Sequence, residues 1–131
     1  QLKKLSYFKK YKNNLVKEYL NKFKKLENFF TPINFIKSEI CWHIFAIRLK
    51  NKYFNKKEKF MNYLNKNNIT TQIHYKPIYK HNVYKKFIIL SESYNSDIFY
   101  RSQLTLPLHT QMTKNEIEYV FKKINLFFSS I

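Results

Sequence analysis

The sequence predicts an α/β fold of the α+β kind, in which a small sheet is covered by helices. Three observations carry that expectation. The chain has 131 residues, enough for a single domain over 1–131 with one core. Residues 1–30 read as a long leading helix. The rest alternates short β-branched or aromatic runs with helix-like stretches, giving the order α, β, α, β, α, β, α. That order leaves the strand directions open.

The regular part of the leading helix spans residues 2–27. Leu2, Leu5, Phe8, Leu15, Tyr19, Phe23 and Leu26 recur at steps of three and four, with one wider gap after Phe8. Lysines fill the other faces. The stripe has the width of a core-packing helix rather than one lying on a membrane. Thr31-Pro32 closes the element. After a polar connection over 33–39, Ile40–Leu49 is nearly continuously apolar, which predicts a central strand. Within it Cys41 reads as a buried, inert thiol. His43 reads as a hydrogen-bonded residue in or near the core. Arg48 is expected to pair with a carboxylate or to face a domain joint. Asn55 and Glu58 have capping-box spacing, so a helix is expected to run to about Asn67, burying Phe60, Met61 and Leu64. Asn68 follows, the best substitute for glycine in a left-handed C-terminal position.

Ile69–Tyr79, ITTQIHYKPIY, begins as a strand, because its β-branched and aromatic side chains suit a pleated surface. Pro77 removes a donor and ends it. Such a strand delivers His74, Lys76 and Tyr79 to the rim of a sheet, where ligands tend to bind. The same residues also suit a plain strand end with polar groups facing water. Lys80–Leu90 reads as a loop with a short helical turn, then an apolar run. Ser91–Gln103 reads as a helix capped by Ser91 or Ser93, with Phe99 and Tyr100 on the core and Arg101 near its end. Leu104–Leu108 alternates up to Pro107 as a short strand. Thr113 and Glu116 form a capping box, with Met112 and Ile117 as a hydrophobic staple. The last helix is expected to bury Ile117, Val120, Phe121, Ile124 and Phe128.

Composition narrows the function classes. A net charge of +17 would normally point to nucleic acid or an anionic membrane. Yet only Arg48 and Arg101 among the 25 basic residues are arginine, the side chain suited to bidentate phosphate and base reading. The lysines are spread along the chain. The expectation is weak, sequence-independent binding at low salt, with no specific nucleic-acid partner. A single cysteine excludes an internal disulfide framework. The apolar runs Ile44–Ile47 and Phe87–Leu90 are too short to span a bilayer, and the start lacks the apolar stretch of a signal peptide. The expectation is therefore a cytoplasmic protein with no membrane partner. His43, His74, His81 and His109 lack metal-ligand spacing. There is no glycine, hence no glycine-rich phosphate loop and no G-x-S-x-G elbow. The chain opens at Gln1, directly in helix-like sequence, which predicts a fragment or a processed product.

Several segments, in order, resemble one family. His74-Tyr75-Lys76-Pro77-Ile78-Tyr79, preceded by Asn68-Ile69-Thr70, is similar to the GI-x-(3)-HY-x-PI segment of the DegT/DnrJ family of PLP-dependent sugar aminotransferases. The nearest branch aminates a UDP-linked 4-keto sugar on the way to pseudaminic acid. Cys41–Leu49 resembles the family's "yHlyvirl" strand, and Leu104–His109 resembles its "lsLPlh" strand. Thr113–Ile124 resembles its last helix, and Gln1–Leu5 the helix after its "N-x-R … QL" segment. Asn68 stands where the family usually has glycine. Each motif alone is weak; their order and spacing together are specific. They cover nearly the whole chain, but only the C-terminal third of a family member.

The resemblance implies the small C-terminal domain of a fold-type I aminotransferase, with a mainly antiparallel sheet. It implies that pyridoxal phosphate is bound by a large N-terminal domain missing from this chain, which also carries the Schiff-base lysine. No catalytic residue, cofactor-binding residue or metal ligand is then expected here, and the chain alone should be inactive. His74 and Tyr75 match the family's His-Tyr near the nucleotide-sugar. Lys76, facing a diphosphate, and Tyr79, donating to a sugar hydroxyl, complete the expected substrate-binding set. His109 matches a common structural position. The implied partners are a nucleotide-sugar, an amino donor such as glutamate, and a second subunit in a homodimer. Two alternatives stay open: a small basic nucleic-acid-binding domain, and a structural or interaction module.

Overall fold

A computed structural model describes residues 2–31, 40–84 and 94–131. A 3-10 turn at Leu2–Lys4 leads into helix α1 (Leu5–Phe23), and a second at Lys24–Leu26 ends it, so the long leading helix is present. Burial begins only at Leu15 and continues through Val16, Tyr19, Phe23 and Leu26. Leu2 and Leu5 are 86% and 50% exposed, so the start of the expected stripe runs past the core.

Strand β1 covers Phe45–Arg48, shorter than the expected Ile40–Leu49. It is not buried on both sides: Phe45 and Ile47 are buried, while Arg48 is exposed. Cys41 and His43 precede the strand and are exposed, which corrects the reading of a buried thiol and a core histidine. An apolar run predicts a strand but not where its hydrogen-bonding partner ends, and here the partner is only four residues long. That partner is β2 (Gln103–Leu106), antiparallel, with Phe45 opposite Leu106, Ala46 opposite Thr105, Ile47 opposite Leu104 and Arg48 opposite Gln103. Among the described residues no carboxylate pairs with Arg48; its Nε donates to Ser102 Oγ at 3.4 Å and its guanidinium lies over the Phe99 ring.

Helix α2 spans Lys57–Lys66 and follows directly from a 3-10 turn over Asn51–Lys56. The expected Asn55–Glu58 capping box does not form. Lys56 occupies the cap position without a side-chain bond, and the Lys57 N–H donates to the Phe54 carbonyl. The preceding turn satisfies a donor that a capping side chain would otherwise have to meet. Phe60 and Leu64 are fully buried and Met61 only half so. At the C-terminus Asn68 takes φ 58°, as expected. The Ile69 N–H reaches the Leu64 carbonyl and the Asn68 N–H the Asn65 carbonyl, both at 2.9 Å, closing a Schellman motif.

Ile69–Tyr79 is not a strand. It touches the sheet at one bridge, Gln72 to Thr105, and after Pro77 makes a 3-10 turn at Ile78–Lys80. The peptide bond between His74 and Tyr75 is cis. Of the next segment, the turn at 81–84 is described; the apolar run and the caps proposed at Ser91 and Ser93 lie outside the described residues. Helix α3 (Tyr94–Ser102) passes straight into β2, whose four residues are all buried. Tyr100 is half-buried, but Phe99 is 42% exposed beside Arg48, not in the core. Helix α4 (Lys114–Ser129) begins with the predicted capping box at Thr113 and Glu116. Ile117, Val120, Ile124 and Phe128 are buried. Phe121 is half-buried, and Phe127 takes the core position instead, 5.0 Å from Phe60 and 5.3 Å from Tyr63 between ring centres.

The core lies between one face of the sheet and α1, α2 and α4. Tyr19 stacks on Phe45 at 4.6 Å, and Phe128 meets Phe30, Phe60 and Phe29 at 5.2, 5.0 and 4.7 Å. Each such buried ring contributes about 1.5–3 kcal/mol by leaving water. The opposite face carries Gln103 and Thr105, which are polar yet buried.

Candidate functional site

A cleft of about 620 Å³ opens where the end of β2, the segment after α2 and the first turns of α4 meet. Polar groups from separate parts of the chain converge on it: His43, Gln72, His74, Thr105, His109 and Tyr119. The loop after β2 is held from α1. The Tyr19 hydroxyl donates to the Pro107 carbonyl at 3.0 Å, and the Tyr11 hydroxyl to the Met112 carbonyl at 2.8 Å. Burial pushes the Tyr19 phenol well above its ordinary range, so it stays a donor. Glu116, at the rim, accepts from the Thr113 N–H and hydroxyl, which hold its carboxyl below the usual value.

His74 is the predicted site residue that enters this cleft. It is tied to β2 twice: its N–H donates to Gln103 Oε1 at 3.1 Å, and its Nδ1 lies 2.8 Å from Thr105 Oγ1. The other three, Tyr75, Lys76 and Tyr79, line a second hollow of about 560 Å³ with Ile78, Ser96 and Phe99. Tyr75 is 76% exposed and packs edge-on to the His74 ring. Tyr79 lies beside an ion pair between Lys80 and Asp97, 2.7 Å apart. Lys80 holds the Asp97 carboxyl below its ordinary value, and the Tyr79 hydroxyl adds to the effect. The chain thus divides the predicted set into one residue and three, on either side of the His74–Tyr75 bond.

Sequence pattern and resemblance predict structural places for His43 and His109, yet both are exposed and line the cleft. Nothing local marks them; they meet through the pairing of β1 with β2. Among the described residues no lysine or arginine lines the cleft. Its residues therefore supply neither a Schiff-base amine nor a cation for the phosphate of pyridoxal phosphate, and do not fit as that cofactor's holder. Among the described residues no three His, Cys, Asp or Glu side chains gather as a metal site. Among them, too, no helix is long and apolar enough to cross a membrane.

Comparison with known proteins agrees with this architecture. The chain is 30% identical over 122 residues to the UDP-4-amino-4,6-dideoxy-N-acetyl-beta-L-altrosamine transaminase of Campylobacter jejuni strain 81-176, covering 92% of this chain and 32% of that protein. It superposes on Helicobacter pylori PseC, an aminotransferase involved in the biosynthesis of pseudoaminic acid, with a TM-score of 0.93. That match has 26% identity and covers 100% of this chain and 35% of the other. The sugar aminotransferase Spr1654 of Streptococcus pneumoniae in its PLP form shares the fold, with a TM-score of 0.80 at 22% identity over 93% of this chain and 31% of that one. The chain spans about a third of the length of the relatives it matches. Residues 1–125 match the DegT/DnrJ/EryC1/StrS aminotransferase family. With that match over nearly its whole length, the chain belongs to that family.

Proposed function

We propose that this chain is the C-terminal, substrate-side part of a PLP-dependent aminotransferase that transfers an amino group to a nucleotide-linked 4-keto sugar, a UDP-sugar of the pseudaminic acid type. The observation that carries the reading is the likeness to PseC over the full length of the chain. The cofactor supplies the amino-transfer chemistry and is proposed to be held by sequence outside these residues, since no described residue of the cleft offers an amine for it. This chain's own part is to bind and orient the sugar-nucleotide. His74 offers a ring nitrogen in the cleft, Tyr75 an exposed phenol and Lys76 a cation suited to a diphosphate, while the Tyr79 hydroxyl is buried and must turn outward to reach a sugar hydroxyl. Glutamate is the proposed amino donor, and the complete enzyme is proposed to work as a cytoplasmic homodimer.

The test uses the complete enzyme, or this chain joined to the large domain of a close relative. His74→Ala and Tyr75→Phe should raise KM for the nucleotide-sugar about tenfold, the loss of one hydrogen bond worth about 1–1.5 kcal/mol, while PLP binding is kept. Wild-type kinetics in both variants, with only an earlier melt, would make these packing residues and sink their substrate role.

A further inference from the structure

The hydrogen bonds around His74 determine which of its ring nitrogens carries the proton. The His74 backbone N–H can only donate, so the Gln103 atom facing it at 3.1 Å is Oε1. That turns Nε2 of Gln103 toward Thr105 Oγ1, 2.8 Å away, and Nε2 also can only donate. The Thr105 hydroxyl thus receives one hydrogen bond and has one proton to give. Its remaining partner among the described residues, at 2.8 Å, is His74 Nδ1. If Nδ1 were protonated, two donors would converge on one oxygen and the hydroxyl proton would lose the ring as acceptor, in a residue buried on β2. With Nδ1 bare, every donor in the ring of contacts meets an acceptor, running head to tail from the His74 backbone through Gln103 and Thr105 to the His74 side chain.

We propose that Gln103 and Thr105 are positioning residues that lock His74 in the neutral tautomer with the proton on Nε2, so that the ring offers the cleft a hydrogen-bond donor. The ligand group it takes is an acceptor oxygen, such as a phosphoryl, keto or ring oxygen, and His74 in this form is no base at Nε2. Gln103 and Thr105 alternate with Leu104 and Leu106, so one short strand serves the core with one face and sets the histidine with the other. The ligand class rests on the sugar-nucleotide reading above; the tautomer does not.

Long-range proton–nitrogen correlation spectra of the chain with isotope-labelled histidine test the proposal without any substrate, and so test it whether or not that reading stands. Loss of one signal set in His74→Gln identifies His74 among the four histidines. The expected pattern is a bare Nδ1 and a protonated Nε2. Thr105→Val should lose that single pattern and Thr105→Ser should restore it, a rescue that a purely structural role would not produce. Gln103→Glu replaces the donor to Thr105 with an acceptor, so the hydroxyl turns to the carboxylate and the ring leaves the Nε2-protonated form. A wild-type ring protonated on Nδ1 would overturn the proposal, as would a folded Thr105→Val with the pattern intact. If Thr105→Val does not fold, an unchanged pattern in Gln103→Glu overturns it equally.

Discussion

Lys57 illustrates what a single residue can hide. It is a lysine in the first turn of α2, yet only 8% exposed, with Nζ 2.5 Å from the Tyr100 carbonyl and 5.1 Å from the Tyr100 ring centre. Burial pulls its amine down from 10.5 to about 8. In the unfolded chain the amine holds its proton to the ordinary value, so between about pH 8 and 10.5 the unfolded state binds more protons and stability rises with pH. Lys57→Met should therefore stabilise the fold at pH 7 by on the order of 1 kcal/mol after discounting for solvent screening, and so raise the melting temperature. The gap should shrink as pH approaches 10.5. Lys80 and Lys114, raised by Asp97 and Glu18, lose their contributions only above that window. A gap that stays constant with pH would show that packing, not the charge, is responsible. Sequence gave no sign of this residue, because a lysine among lysines looks like a solvated face.

At the scale of elements, legibility followed the range of the interactions. The capping box of α4 and the left-handed Asn68 each rest on contacts within five residues, and both are present as read. The Asn55–Glu58 box has the same local spacing but lost to a competing 3-10 turn, whose backbone bonds use the same chain. Phe121 and Phe127 lie on different sides of α4, and the rings of Phe60 and Tyr63 on another helix pack against Phe127. Asn68 offers the clearest test. Asn tolerates φ 58° by bonding locally, whereas a β-carbon without that polar group costs about 1–2 kcal/mol there. Asn68→Ala should melt roughly 4–8 °C lower, and Asn68→Gly should melt near wild type. Equal melting of all three would remove the left-handed geometry as the cause.

The whole molecule explains the rest. Ile69–Tyr79 has strand-like side chains but finds only a four-residue β2 to lie against, so it bridges at Gln72 and leaves the sheet. Strand propensity describes a fit to a surface whose extent is set elsewhere in the chain. The cleft was partly legible for the same reason: His74 was visible through its motif, while His43 and His109 arrive only by tertiary pairing. The tether at Gln72 has a consequence in time. The Gln72 and Thr105 amides each donate to the other's carbonyl, and the His74 amide donates to Gln103, so all three are fastened to a strand that is buried throughout. Beyond His74 the described amide bonds are short turns at Lys80, His81 and Tyr84. In a hydrogen–deuterium exchange experiment the first group should exchange only when the core opens. The second should exchange by local fraying, orders of magnitude sooner. Uniform exchange across residues 72–84 would count against this. The cleft and the second hollow adjoin along the chain but run on different clocks, so a ligand held in the first meets a preformed wall, and one held in the second must slow its wall down as it binds.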